Sequence, residues 1–320
     1  MKNILVTGGC GYVGSVLVPA LLADGNKVTA FDIMWFGNYL LNHKNLTVIK
    51  GDIRRINTVP MEGFDALIHL ANIANDPSCD IDPKISWEVN VLASKFLIEK
   101  AIKNKVGQFI YASSGSVYGV KDEPEVTETL DLVPISDYNK TKMISERVFL
   151  SYKDGILVQI VRPATICGTS PRQRLDLTVN LLTYSALKNG EIKVFGGNQT
   201  RPNIHMKDMV RVYQHFLNRK DLSGVYNAGF ENISIMDIAK MVTTFLPVDI
   251  EICESNDPRS YRQNSGKLLS TGFVQKYGVE DGIKEVIDAY RDGTLKNDDC
   301  CYNVKTMEKI FSSDCICQLI

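Results

Sequence analysis

The stretch that decides the fold is ILVTGGCGYVG, residues 4–14. Its apolar opening is typical of a strand covered on both faces of a parallel sheet. Gly8, Gly11 and Gly14 follow at a spacing that suits a tight turn, a close approach of a diphosphate and close helix–strand packing. From Tyr12 onward, apolar residues recur at helical spacing. This order of strand, turn and helix predicts a dinucleotide-binding βαβ unit whose helix amides face phosphates.

An acidic residue ends the second predicted strand, residues 28–31. Asp32 lies about 20 residues after the glycine turn, where a carboxylate accepts hydrogen bonds from the adenosine ribose hydroxyls. Its charge repels a 2′-phosphate, and residues 33–41 hold no Arg or Lys to bind one. The sequence therefore predicts NAD rather than NADP.

The composition is that of a globular enzyme of one large or two smaller domains. Of 320 residues, 44% are hydrophobic and 23% charged, and the net charge of -1 gives no bulk attraction to nucleic acid or an anionic membrane. Met1 and Lys2 lead straight into the first strand, so we expect no signal peptide, no transmembrane helix and a cytoplasmic location.

The eight cysteines predict no metal site. Those in the body of the chain are scattered, which is typical of reduced thiols. Cys300, Cys301, Cys315 and Cys317 lack the spacing of a zinc site, and we interpret them as tail thiols rather than a redox or metal centre. Residues 317–320 also fit a prenylation box, which without an upstream basic run we interpret as a chance match.

The next strands place further residues at the same sheet edge. After a third strand, residues 46–49, come Asp52 and Ile53; Asp52 either accepts from the adenine amino group or caps the next helix. A fourth strand, residues 66–70, ends at Leu70 and leads into Ala71 and Asn72. Small residues in this segment would let the cofactor pass close to the end of the strand.

Beyond the fourth strand we predict an irregular loop at residues 75–82 that faces substrate. A long amphipathic helix at residues 85–103 and a fifth strand at residues 109–112 follow.

Alternating strands and helices up to about residue 162 predict an α/β fold, a doubly wound parallel (Rossmann) sheet with ligands at the carboxyl ends of its strands. The remainder, with a helix at residues 175–188, predicts a smaller C-terminal α/β substrate lobe interleaved with the sheet. We expect an NAD-binding domain at 1–165, the substrate lobe at 166–292, and a tail at 293–320 that packs weakly or mediates association.

A second motif is typical of hydride-transfer chemistry. Tyr138 and Lys142 are four residues apart and share one face of a predicted helix. A nearby cation favours the phenolate and lowers the tyrosine pKa towards a useful range. Upstream, residues 113–119, SSGSVYG, leave the fifth strand with hydroxyls that can bind the same substrate oxygen. Either feature alone is also common on ordinary surfaces.

Together these motifs resemble the extended short-chain dehydrogenase/reductases, specifically the nucleotide-sugar epimerase/dehydratase group. Residues 200–208, TRPNIHMKD, resemble the Arg-aromatic-Ile-His-Val-x-Asp segment of the group, and residues 257–259 resemble its later arginine-bearing loop. The resemblance implies that Arg201 and Arg259 contact the nucleotide or its diphosphate. It covers residues 1 to about 290.

The resemblance also implies a mechanism. Tyr138 takes the proton of the sugar C4 hydroxyl while hydride passes to the nicotinamide, Lys142 holds the nicotinamide ribose, and Ser114 stabilises developing charge. A dehydratase of the group carries an Asp-Glu pair after the Ser/Thr; here Gly115 and Ser116 stand instead, which argues against 4,6-dehydration.

Two departures fall in the substrate half. Thr165 stands where the group commonly has an Asn near the diphosphate, and Pro202 and Asn203 replace the aromatic residue. Cys167 is either a second acid–base group near the sugar or a buried structural thiol.

The sequence thus predicts an NAD-dependent nucleotide-sugar 4-epimerase that forms a homodimer through the helix of Tyr138. The alternatives are a 4-dehydrogenase or keto-reductase, a 4,6-dehydratase, and a non-catalytic NAD-binding regulatory protein. The predicted cofactor-binding residues are Gly8, Gly11, Tyr12, Val13, Gly14, Asp32, Asp52, Ile53, Leu70, Ala71, Asn72, Ser113, Tyr138, Lys142 and Pro163. The predicted substrate-binding residues are Asn75, Ser114, Ser116, Thr165, Arg174, Asn180, Arg201 and Arg259.

Overall fold

A computed structural model of the chain describes residues 1–255 and 260–312. Its strands are β1 (Asn3–Thr7), β2 (Lys27–Asp32), β3 (Leu46–Lys50), β4 (Ala66–His69), β5 (Gln108–Ala112), β6 (Leu157–Pro163), β7 (Thr165–Cys167), β8 (Glu191–Phe195), β9 (Thr200–His205), β10 (Gly224–Ala228), β11 (Glu231–Ser234) and β12 (Asp249–Cys253). Its helices are α1 (Gly14–Ala23), α2 (Asp76–Ile81), α3 (Pro83–Trp87), α4 (Ser94–Lys103), α5 (Asp137–Leu150), α6 (Thr178–Asn189), α7 (Met206–Asn218), α8 (Ile235–Phe245), α9 (Gly266–Leu269), α10 (Val279–Arg291) and α11 (Asn303–Ser312).

The central sheet is parallel throughout. Within the described residues its strand order is β3-β2-β1-β4-β5-β6-β10. The order reverses between β1 and β4, and a doubly wound sheet binds its ligands at that switch point. The predicted Rossmann fold is confirmed.

The apolar opening of the chain explains why β1 lies at the centre. Ile4, Leu5 and Val6 are fully buried. Ile4 and Val6 point into the apolar layer beneath α1 and α7, and Leu5 points into the layer on the other face beneath α4. Both faces of the sheet are therefore covered, as parallel strands require.

The C-terminal lobe packs α6, α8 and α10 around β8. Two small sheets, β11-β9-β7 and β12-β8, complete it. Between β9 and β11 the chain returns to the central sheet, where β10 pairs with β6. The domain boundaries at residues 165 and 292 stay a prediction.

The expected loop at residues 75–82 is wrong, because α2 occupies most of it. The Asn75 side chain caps this helix by accepting from the Ser78 amide at 3.0 Å, and Pro77 lies in its first turn. Asn-Asp-Pro is a helix-start signal that the sequence contained.

Two predicted helices differ in their bounds. The helix expected at residues 85–103 starts earlier, as α3, and passes through a π-helix at Glu88–Ala93 before α4. Within that π-helix, Asn90 points inward and binds both main-chain groups of Ile73. The helix expected at residues 175–188 begins at Thr178.

The weak packing expected of the tail is wrong for residues 301–311, whereas residues 293–299 are mostly exposed. Cys301, Asn303 and Met307 are buried, and Phe311 meets Trp35 edge-on with ring centroids 5.5 Å apart. The apolar face of α11 covers Ile73, Cys79 and Ile85, which explains the burial. Cys315, Cys317 and the prenylation box lie outside the described residues.

In the part of the chain that the structure describes, no helix combines the length and the apolar character needed to cross a bilayer. The cytoplasmic location stays a prediction.

Candidate active site

One cleft of about 820 Å³ lies at the carboxyl edge of the sheet and extends to the C-terminal lobe. Every predicted cofactor-binding residue lines it. Of the predicted substrate-binding residues it brings in Asn75, Ser114, Ser116, Thr165, Arg174 and Arg201. Arg259 lies outside the described residues.

The glycine turn leaves space only where a cofactor would need it. Gly8 has a φ of 75°, and a Cβ there would lie 2.6 Å from the Ala71 amide nitrogen. A Cβ on Gly14 would lie 2.4 Å from the Gly8 carbonyl oxygen. A Cβ on Gly11, in contrast, would meet only that oxygen, at 3.3 Å, and would otherwise occupy the cleft. This bare backbone at the start of α1 fits a dinucleotide diphosphate.

Asp32 is held by the main chain. Its Oδ2 accepts from the Cys10 amide at 2.9 Å and its Oδ1 from the Met34 amide at 2.7 Å. Burial raises the pKa of this carboxyl, while the two amide hydrogen bonds act in the opposite direction. The carboxylate is therefore fixed at the cleft wall, where its remaining lone pairs can accept from ribose hydroxyls.

Asp52 is bound by its neighbour Arg54. Its Oδ1 accepts from the Arg54 amide at 2.8 Å, and its Oδ2 lies 2.6 Å from the guanidinium. The alternative that Asp52 caps the next helix is wrong, because that short helix, Ile56–Thr58, has Arg55 at its N-cap position and no side-chain cap. The place of Asp52 in the cleft lining leaves the adenine contact as a prediction.

The Tyr138 and Lys142 side chains share the inner face of α5, as predicted from their spacing. Lys142 is buried, and its ammonium donates to the Ala112 carbonyl at 2.7 Å and lies 5.8 Å from the centre of the Tyr138 ring. Burial lowers the pKa of Lys142 to about 7.

The expected lowering of the tyrosine pKa by Lys142 is not what the structure gives. Burial raises the pKa of Tyr138, and Cys79 and Asp76 act in the same direction. The hydrogen bond with Ser114 and the charge of Arg174 oppose this rise. Burial of the phenol is the largest of these effects, which explains the difference.

The serine segment after β5 divides its hydroxyls between the cleft and the interior. Ser114 Oγ lies 2.7 Å from Ser116 Oγ, and Ser116 donates to Asn139 at 2.5 Å. Ser113, predicted to bind cofactor, lines the cleft but donates its hydroxyl to buried Glu146.

Glu146 belongs to a buried network that fixes α5 against the sheet. It pairs with Arg162 at 2.6 Å, and Arg162 donates to the Tyr118 hydroxyl at 2.6 Å. Tyr118 in turn donates to Asn227 at 2.8 Å. A fully partnered network of this kind holds α5 rigid. No sequence signal marks it, because its members come from four separate segments.

Asn180, predicted to bind substrate, is absent from the described lining of the cleft. It is fully buried, and its side-chain amide donates to the carbonyls of Gly168 and Arg174 and to the Tyr12 hydroxyl. Its oxygen accepts from the Gly168 amide at 3.0 Å. Asn180 therefore braces the loop after β7 and has no group left for a ligand.

Cys167 follows the structural alternative. It is fully buried beneath α6 and α10, and burial raises the pKa of its thiol. Its Sγ faces the Ile204 carbonyl at 3.6 Å rather than the cleft.

Sequence patterns did not predict several of the residues that line the cleft. Arg172, Asp176, Lys193, Phe195, Asp76 and Asn303 all line it. They come from the lobe, the tail and α2, so only the tertiary fold brings them to the sheet edge. The Asn-Asp-Pro helix start was the one signal pointing to Asp76.

Residues 4–229 match the NAD dependent epimerase/dehydratase family. The chain belongs to this family. Membership confirms the predicted extended short-chain dehydrogenase/reductase relationship, the enzyme class and NAD as the cofactor, and the cleft described above is where that cofactor fits.

The relatives of this family member have several activities. It is 27% identical to a UDP-glucose 4-epimerase of Lactobacillus helveticus over 88% of this chain and 94% of that protein. It is 30% identical to the uncharacterized protein y4nG of Sinorhizobium fredii, covering 74% of this chain but only 58% of that longer protein. The solved structure of MoeE5 with UDP-glucuronic acid and NAD superposes with a TM-score of 0.81, at 26% identity over 91% of this chain and 99% of that one.

Other relatives are named UDP-glucuronic acid decarboxylase and dTDP-glucose 4,6-dehydratase, at 25% and 24% identity. The comparisons therefore establish an NAD-dependent enzyme of the nucleotide-sugar epimerase, dehydratase and decarboxylase type, and they do not separate these reactions.

Proposed function

We propose that this enzyme is a nucleotide-sugar 4-epimerase that works through a transient 4-keto sugar. The observation that carries the proposal is the meeting of Ser114, Tyr138 and Lys142 in the cleft that also holds the glycine turn. A hydroxyl base, a second hydroxyl and a cation at one point suit the removal of a proton from an alcohol as its carbon loses hydride.

Each residue has a distinct task. Tyr138 accepts the proton of the C4 hydroxyl. Ser114, which lines the same cleft, orients that hydroxyl and stabilises charge on its oxygen. Lys142 holds the nicotinamide ribose and, when cationic, favours the phenolate.

When bound, NAD supplies a nicotinamide that takes hydride from the sugar carbon and can return it. The residues of the lobe must hold the nucleotide end while the 4-keto sugar turns its other face. From the resemblance we assign Arg201 and Arg259 to the diphosphate. Thr165 is assigned to the same end of the substrate.

The segment after Ser114 favours epimerisation over 4,6-dehydration. Gly115 carries no side chain, and a Cβ there would lie 3.1 Å from both the Gln263 amide oxygen and the Tyr261 hydroxyl, which is a tight fit. Ser116 carries only a hydroxyl, which donates to Asn139. The acid–base pair that eliminates water in dehydratases therefore has no counterpart at these two positions.

The test is incubation of the purified protein with a panel of UDP- and dTDP-hexoses and hexuronic acids, followed by NMR of the products. We expect a C4 epimer without net accumulation of NADH. Stoichiometric NADH with a released ketose would instead identify a 4-dehydrogenase. NAD binding without turnover of any nucleotide sugar would identify a regulatory protein.

We also propose a homodimer, through α4 rather than α5 as expected. The buried side chains of α5 are mostly polar. Among the described residues, none of the large apolar side chains that are exposed belongs to α5. Leu92 and Phe96, in the neighbouring π-helix and α4, are about half exposed. Sedimentation at micromolar concentration should give a dimer mass, and Phe96→Glu should shift it to that of a monomer.

A further inference from the structure

Arg172 is a buried arginine that lines the cleft without a role in the reaction proposed above. Its side chain is 3% exposed, and its guanidinium carbon lies 4.0 Å from the centre of the Phe36 ring. One terminal nitrogen donates to the Asn303 side chain at 2.6 Å. Its Nε is buried and has no hydrogen-bond partner in the described structure.

The charge of Arg172 also lacks a carboxylate. Arg54 pairs with Asp52 and Arg174 with Asp176 in the same cleft, but within residues 1–255 and 260–312 no carboxylate lies within ion-pair distance of Arg172. Burial, reinforced by the charge of Arg174, lowers the pKa of Arg172 to about 10. Asp32 and Asp176 act on this guanidinium only from beyond ion-pair distance, so the buried cation can still gain from an anion bound directly to it.

The position of Arg172 indicates which anion. The loop after β7 docks on the start of α1, where the Arg172 amide donates to Ser15 at 3.3 Å and Ser170 donates to the Tyr12 carbonyl at 2.7 Å. The side chain then reaches Phe36, four residues past Asp32. It thus lies between the first turn of α1 and the segment after β2, in the wall of the cleft that also holds the glycine turn, where a dinucleotide diphosphate lies in this fold.

The C-terminal helix holds this arginine in place. Asn303 is buried, its amide donates to Asp176 at 3.0 Å, and its side-chain nitrogen donates to the Ala74 carbonyl at 3.3 Å. These contacts orient the Asn303 oxygen towards Arg172.

We propose that Arg172 binds the diphosphate of the dinucleotide cofactor and that Asn303 is the positioning residue that aims it. The guanidinium would offer phosphate oxygens the N–H groups that its bond to Asn303 leaves available. The C-terminal segment thereby completes the cofactor site from across the cleft. This contact does not depend on the sugar reaction, because it concerns the cofactor alone.

The test is calorimetric titration of the Arg172→Gln variant with NAD, ADP-ribose and adenosine, without any sugar. Loss of a charge-assisted hydrogen bond should weaken NAD and ADP-ribose about 10- to 100-fold, and adenosine, which has no phosphate, by less than about twofold. Arg219→Gln, which removes an exposed arginine paired with Asp221, is the matched control and should leave all three affinities unchanged.

Two further variants keep the proposal testable if Arg172→Gln folds poorly. Arg172→Lys keeps the charge but not the fork and should still lower the preference for ADP-ribose over adenosine. Asn303→Ala should weaken NAD about fivefold while Arg172 is present and should add little in the Arg172→Lys background.

Three outcomes would overturn the proposal. The first is NAD affinity unchanged in folded Arg172 variants. The second is weaker UDP with unchanged NAD, which would assign Arg172 to the substrate diphosphate. The third is weaker NADP with unchanged NAD, which would assign it to a 2′-phosphate. A failure of the epimerase proposal would leave all these titrations unaffected.

Discussion

The cofactor side and the lobe side of the cleft are lined by different kinds of chemical group. On the cofactor side, ligand contact falls to main chain and short side chains: Gly11 leaves bare backbone, and Asp32 is fixed by two amides from its own vicinity. On the lobe side, long charged side chains line the cleft: Arg174 is held by the nearby Asp176, and Arg172 by Asn303 far along the chain. The cofactor side depends on the shape of the backbone and the lobe side on charged side chains. Substitutions on the two sides should therefore impair different properties.

The proposed catalytic residues line the same cleft, and removal of the proposed base should have the largest effect. We expect Tyr138→Phe to lower kcat about 10²- to 10⁴-fold, because the general base is lost while the ring remains. NAD affinity should stay near that of the wild type. The measurement is turnover on the active nucleotide sugar together with NAD titration.

Tyr152→Phe is the matched control for that variant, because Tyr152 bonds Glu99 on the outer side of α4, away from the cleft. Near-normal turnover of Tyr138→Phe would contradict the assigned base.

Gly14→Ala should impair the cofactor side of the cleft without altering a side chain of the substrate side. The new Cβ would lie 2.4 Å from the Gly8 carbonyl oxygen, and backbone on both sides prevents relief. Such overpacking costs about 1–3 kcal/mol of unfolding free energy. NAD affinity should fall with it, as followed by urea unfolding and titration. Gly107→Ala, where the nearest atom is 3.4 Å away, should change neither property, and equal losses in both variants would refute the steric explanation.

The same contrast explains what the sequence could predict. Glycine spacing, the distance to Asp32 and the four-residue step from Tyr138 to Lys142 are local patterns, and local backbone geometry translates them directly into positions in the fold. Asn180 was misassigned because its role depends on a loop folded back over it. Arg172 and Asn303 were missed for the same reason, since 131 residues separate them. The tail helix was undervalued because its apolar face is short and its partner surface is made by α2 and α3.

Arg201→Gln should break the substrate half alone. If Arg201 binds the diphosphate, its loss should raise KM for the nucleotide sugar about 10- to 100-fold, since charge-assisted hydrogen bonds contribute that much. NAD affinity should not change. Steady-state kinetics with a parallel NAD titration separate the two. A KM equal to that of the wild type would remove Arg201 from the substrate site.

Lys142 is a buried cation of the cleft, and its titration should be visible in the stability of the protein without cofactor. Burial lowers its pKa to about 7 in the folded chain, whereas an unfolded lysine titrates near 10.4. Between about pH 7 and pH 10 the unfolded chain therefore binds a proton that the folded chain does not. Stability should rise with pH across this window, by at most about 1.4 kcal/mol per unit, and this contribution is lost as pH falls to 7. Urea unfolding of the wild type and of Lys142→Met at several pH values measures it as their difference. A difference independent of pH would mean that Lys142 stays charged when buried, held by the Ala112 carbonyl, and the cation needed to activate Tyr138 would then be present before NAD binds.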